Sequence, residues 1–126
     1  MTSEVEDRTD RAVRAYQAVV TTWSAEPGVS VGRALGNNVL KAGGRIFAFR
    51  KSDRLVIKVP AARAAELVAA GLATPFQTGR SPMREWVALA LPEDTAADDA
   101  RWLEYAAEAH AFVTSLPAAK PRTSRG

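Results

Sequence analysis

Arginine and lysine supply most of the side chains here with a capacity for binding. Arg50, Lys51 and Arg54 crowd one end of a hairpin-like pattern, Arg80 and Arg84 flank a polar stretch, and Lys41, Arg45 and Lys58 fall on neighbouring strand-like segments. Cations presented on a hairpin can follow a phosphate backbone, which gives affinity and orientation without reading base sequence. Trp86 lies two positions from Arg84, and a Trp–Arg pair can stack on a base or another planar group. The competing reading of the same residues is a solvated sheet face whose arginines pair with acids on the terminal helices.

The side chains that catalysis would need are missing or poorly spaced. With no cysteine there is no disulfide, no thiolate nucleophile and no thiolate metal ligand. His110 is the only histidine and has no second histidine or cysteine to share a metal, so a surface or half-buried structural role is expected. Asp98 and Asp99 are chain neighbours that point apart on a helix, and Glu104 and Glu108 form a like-charge pair four residues apart on a solvated face. Neither pair has the contrasting environments that drive two pKa values apart for general acid–base work. Gly43-Gly44 lacks the Gly-Lys-Ser/Thr that would follow in a phosphate loop, and Ser24, Ser30, Ser52 and Ser81 lack a nucleophile-elbow context. No catalytic residue, cofactor or metal is expected.

Charge is segregated along the chain. Residues 27–91 carry ten Lys/Arg against three acids, whereas residues 92–116 carry one Arg against six acids. The first 26 residues are mildly acidic, and the last ten add Lys120, Arg122 and Arg125 with no acid. The chain of 126 residues is of single-domain size, with 47% apolar residues to build a core. The acidic N-terminal stretch has no signal-peptide apolar run, and no segment reaches the roughly 18 apolar residues of a membrane span. A soluble cytoplasmic protein with no membrane partner is expected.

The elements that position these residues follow from periodicity. Residues 5–24 read as a helix, with Val13, Tyr16, Val20 and Trp23 on one stripe widened by Ala12 and Val19. From residue 29 the period shortens. Residues 29–35 suit a first strand, Gly36-Asn37-Asn38 a turn, residues 39–42 a short strand and Gly43-Gly44 a tight hairpin turn. Residues 45–50 follow as a strand with Phe47 and Phe49 on one face and Ile46 and Ala48 on the other. After Lys51-Ser52-Asp53 comes a strand over 54–59, with Leu55, Ile57 and Val59 facing away from Arg54 and Lys58. The connections are too short for parallel crossovers, so the meander is antiparallel.

Pro60 opens an alanine-rich helix over 61–70, capped by Gly71 with Leu72 folding back. Residues 73–76 suit a short edge strand, residues 77–82 a polar loop, and residues 83–91 a strand with Met83, Val87, Leu89 and Leu91 opposite Trp86, Ala88 and Ala90. Residues 95–116 form the last helix, with Trp102, Tyr105, Ala106, Ala109, Phe112, Val113 and Leu116 as its stripe. Phe47, Phe49, Trp86, Trp102 and Phe112 are all expected chiefly as core, with Trp86 the candidate for exposure. Residues 1–116 read as one domain, and residues 117–126 as a disordered basic tail.

Several of these pieces occur together in an ordered set: Gly36 after a short strand, then Leu40-Lys41-Ala42-Gly43-Gly44-Arg45-Ile46-Phe47-Ala48, Leu55-Val56-Ile57-Lys58-Val59, Pro75-Phe76, and Pro82-Met83-Arg84-Glu85-Trp86-Val87. The closing helix adds Trp102, Ala106-Ala107-Glu108-Ala109 and Phe112-Val113. In this set, over roughly residues 28–115, the chain resembles the TfoX/Sxy N-terminal domain family and the related YjbR-like proteins. The resemblance implies an α+β, two-layer fold: one antiparallel sheet of about five or six strands, with N-terminal, middle and C-terminal helices packed on it. It also implies association with bacterial competence regulation and with DNA, and it brings no catalytic residues. Two functions are therefore carried forward. One is a non-enzymatic, DNA-associated regulatory domain that contacts phosphates through Arg50, Lys51, Arg54, Arg80 and Arg84. The other is a protein–protein adaptor or dimerisation module, its partner another protein or a second copy.

Overall fold

The computed structural model describes residues 3–34, 37–51, 53–78, 81–90 and 98–116. Among the described residues, three helices and six strands follow one another in chain order: α1 (Ser3–Ser24), β1 (Val29–Ala34), β2 (Asn37–Ala42), β3 (Arg45–Lys51), β4 (Arg54–Lys58), α2 (Ala61–Ala69), β5 (Ala73–Thr78), β6 (Ser81–Ala90) and α3 (Asp98–Ser115). The strands form one sheet in the order β1-β2-β3-β4-β6-β5, every neighbouring pair antiparallel. This is the α+β arrangement expected from the periodicity and the resemblance.

The turn between β2 and β3 and both ends of α2 are made by residues suited to them. Gly43 and Gly44 adopt φ 59° and 85°, the left-handed pair that matches strand twist in a two-residue hairpin. Pro60 caps α2 from outside, with φ −56° and ψ 147°, and its carbonyl accepts from Ala64 N–H at 2.9 Å. At the other end Gly71 takes φ 77°; its N–H donates to Val68 O and that of Leu72 to Leu67 O, both at 3.0 Å. That pair of bonds satisfies carbonyls the helix leaves free. The Leu72 side chain nevertheless stays 47% exposed instead of folding over the last turn.

All three helices lie on one face of the sheet. Ala12, Ala15, Tyr16 and Val19 of α1, Ala64 and Leu67 of α2, and Trp102, Ala106, Ala109 and Val113 of α3 are buried against Leu40, Phe47, Ala48, Leu55, Ile57, Val87 and Leu89. The α1 stripe is rotated slightly from expectation: Ala15 is buried in it and Val13 lies 38% exposed. The opposite face has its own smaller cluster, Val39, Phe49, Val56 and Ala88, with Ile46, Phe76 and Trp86 leaning over it. No described helix contributes to that second cluster.

Three local features differ from the sequence reading. Phe47 and Phe49 lie on opposite faces. Between β2 and β3 the register passes from Leu40↔Ala48 to Lys41↔Ile46, so Phe47 is an extra, bulged residue and joins Ala48 on the helical side. Asn37 and Asn38 belong to β2, paired with Ala34 and Arg33. The stretch expected as a loop over 77–82 is largely ladder, with Thr78 paired to Ser81. Leu35-Gly36, Ser52, Gly79-Arg80, the Pro92-Glu93-Asp94 lead-in and the tail over 117–126 lie outside the described residues.

Candidate nucleic-acid interface

Alternation along β4 decides which cations meet. Leu55 and Ile57 enter the helical core, so Arg54, Val56 and Lys58 face the other way. Arg54 pairs in register with Lys51, placing both cations side by side on the helix-free face. Like charges directly across an antiparallel pair repel. Among the described residues neither has an ion-pair partner.

Beside them runs an aromatic group. Phe49 meets Phe76 edge-on, with centroids 5.7 Å apart, and Trp86 at 5.9 Å. Lys58 Nζ stands 5.7 Å above the Trp86 ring and 3.9 Å from the Glu85 carboxylate. Phe76 sits where the β5–β6 ladder breaks: Pro75 pairs with Val87 but Gln77 with Pro82, so one residue of β5 faces four of β6. A bulge of this kind re-aims a side chain. The result is a cleft of about 370 Å³ lined by Lys51, Asp53, Arg54, Val56, Thr74, Pro75, Phe76 and Ala88.

The five expected phosphate contacts are distributed unevenly. Lys51 and Arg54 come together on the helix-free face. Arg50 is paired with Leu55 and therefore faces the helical layer, where burial raises the pKa of the Tyr16 phenol and the charge of Arg50 partly opposes that rise. Arg84 lies on β6, and Arg80 lies outside the described residues. Trp86, expected chiefly as core, is half-buried on the helix-free face with Lys58 over its ring. The sequence reading missed the cleft and Phe76. Their only sequence signal is Thr-Pro-Phe on an edge strand, because the bulge that presents the ring has no fixed residue pattern.

The acids of α3 belong to the other layer. Arg63 of α2 donates from Nε and Nη2 to the two carboxylate oxygens of Glu108, at 2.8 and 3.0 Å, and from Nη1 to Glu66 at 3.2 Å. The hydrogen bond to Glu108 holds the guanidinium pKa above its ordinary value. Glu108 is thus a tie between α2 and α3 and not a solvated member of a like-charge pair. His110 is half-buried and structural, its ring 4.6 Å from Trp23 and 5.4 Å from Phe47. Among the described residues no three His, Cys, Asp or Glu side chains gather as a metal site, and no helix is long and apolar enough to cross a membrane. In comparisons with protein-family models, curated proteins and solved structures, nothing matches this chain.

Proposed function

We propose that this chain is a non-enzymatic, nucleic-acid-associated regulatory domain of the TfoX/YjbR type, acting in the cytoplasm, whose contact surface is the helix-free face of its sheet. The observation that carries the reading is the cross-strand pair Lys51 and Arg54, two like charges held side by side next to an aromatic group. Such a pair repels, and a phosphate lying between the two cations would relieve that repulsion. The acidic helix α3 packs on the opposite side of the sheet, so it does not cover these cations. Lys51 and Arg54 are the principal phosphate contacts in this reading. Arg50, facing the helices, contributes least.

Binding to fluorescently labelled DNA at about 50 mM salt tests this, followed by a salt titration. Lys51→Ala or Arg54→Ala is expected to weaken binding to every sequence alike and to lower the magnitude of the salt slope by about 1. Absence of binding at micromolar protein would overturn the reading. So would binding that disappears only when Lys120, Arg122 and Arg125 are removed.

A second reading, the adaptor or dimerisation module, is favoured by β1. It is an edge strand, paired on one side only, and it leaves Val31 40% exposed. An unpaired edge can accept a further strand. Light scattering that gives twice the chain mass, abolished by Val31→Lys, would favour it.

A further inference from the structure

We infer that the cleft beside Phe76 holds one unstacked base of a single-stranded nucleic acid, and that this protein therefore prefers single strands to duplexes. The inference rests on the phosphate-binding reading of the same face and specifies its substrate. The cleft combines three things in one place. Ala88, Pro75 and Phe76 give it an apolar lining beside the edge of β5. Thr74 supplies a hydroxyl able to donate to and accept from a base edge. Lys51 and Arg54 stand against one carboxylate, Asp53, so the rim keeps a net positive charge matched to a phosphodiester.

Its volume of about 370 Å³ lies within the range of small-molecule pockets, roughly 300–1,000 Å³. A cleft of this size admits a planar group, not the side of a double helix. In a duplex both faces of each base are already stacked, so an aromatic wall can engage only a nucleotide that is unpaired. Phe76 is also held in place. Its ring meets Phe49 edge-on at 5.7 Å, and Phe49 in turn meets Trp86, so the stacking surface is braced by two further rings. Smooth duplex binding would call for a row of cations without an aromatic cleft between them.

The test compares labelled oligothymidylate of about twelve nucleotides with a duplex of equal length at about 50 mM salt, on the full chain. The single strand is expected to bind roughly ten-fold tighter or better, in line with the worth of one base–aromatic stack. Phe76→Leu, which keeps apolar packing but removes the ring, should abolish that preference, and Phe76→Tyr should retain it. Thr74→Glu changes an exposed position and places a carboxylate in the cleft, so it should weaken single-strand binding without touching the core. Lys51→Ala should weaken both substrates. Equal binding of the two substrates, or a single-strand preference that survives both Phe76→Leu and Thr74→Glu, overturns this inference and leaves the phosphate-binding face standing. Failure of both substrates to bind overturns the two together.

Discussion

Tyr16 shows how one side chain ties layers together. Its phenol is 5% exposed between α1 and the sheet, and it donates to Asn38 O at 2.8 Å. Burial pushes its pKa well above the ordinary 10.0, while the charge of Arg50 acts in the opposite sense. The folded chain therefore keeps a proton that the unfolded chain releases. This stabilising difference is fully present below about pH 10 and is lost as the pH rises beyond it, because the unfolded state then binds fewer protons. Tyr16→Phe is expected to cost about 1 kcal/mol at neutral pH through the lost hydrogen bond and to flatten the decline of stability above about pH 10. Urea midpoints of both proteins at neutral and alkaline pH check this; parallel declines would assign the effect to another group. The periodicity of α1 marks Tyr16 as a core residue, but its hydrogen bond reaches 22 positions along the chain and depends on how the first hairpin closes.

Turns and strand faces differ in how far sequence determines them. Gly43 and Gly44 could be read directly, because a tight hairpin needs left-handed backbone that glycine adopts without strain. With φ at 85°, Gly44→Ala is expected to cost about 1–2 kcal/mol, whereas Gly43→Asn should be nearly neutral, since asparagine suits the first position of such a turn. Guanidinium denaturation of the two variants distinguishes these outcomes, and an unperturbed Gly44→Ala would mean that the turn rearranges freely. Helix α2 was equally readable, because Pro60 and Gly71 each act locally. Phe47 was not. A strict two-residue alternation groups it with Phe49, and only the pairing with β2 reveals the extra residue that turns it to the helices. Asn37 and Asn38 were misjudged for a related reason: their turn propensity yields to ladder pairing with Arg33 and Ala34.

At the scale of the molecule, two layers share one core to which all three helices contribute. Trp102 is fully buried in that core, and its indole N–H points to Ala90 O at 3.4 Å. Trp102→Ala is expected to cost about 3–5 kcal/mol and, as the layers share one core, to move the denaturation midpoint without changing the slope of the transition. A loss below about 1 kcal/mol would mean that α3 contributes little to holding the layers together. The layered plan could be anticipated from the apolar stripes, and the basic centre from the charge counts. Which basic residues meet could not, since that depends on register: Lys51 stands beside Arg54 only because β3 and β4 pair as they do.

The two margins of the sheet also differ in what they allow. The outer strand β5 contains Pro75, which has no N–H to offer, and its ladder is interrupted immediately afterwards. The other margin, β1, contains no proline. Growth by strand addition is therefore less favoured at β5 than at β1. Two copies meeting β1 to β1 would be related by a two-fold axis and would turn only their interrupted β5 margins outward, so the pairing would close on itself. A sheet with two uninterrupted margins could polymerise into a ribbon; the interrupted β5 margin works against that.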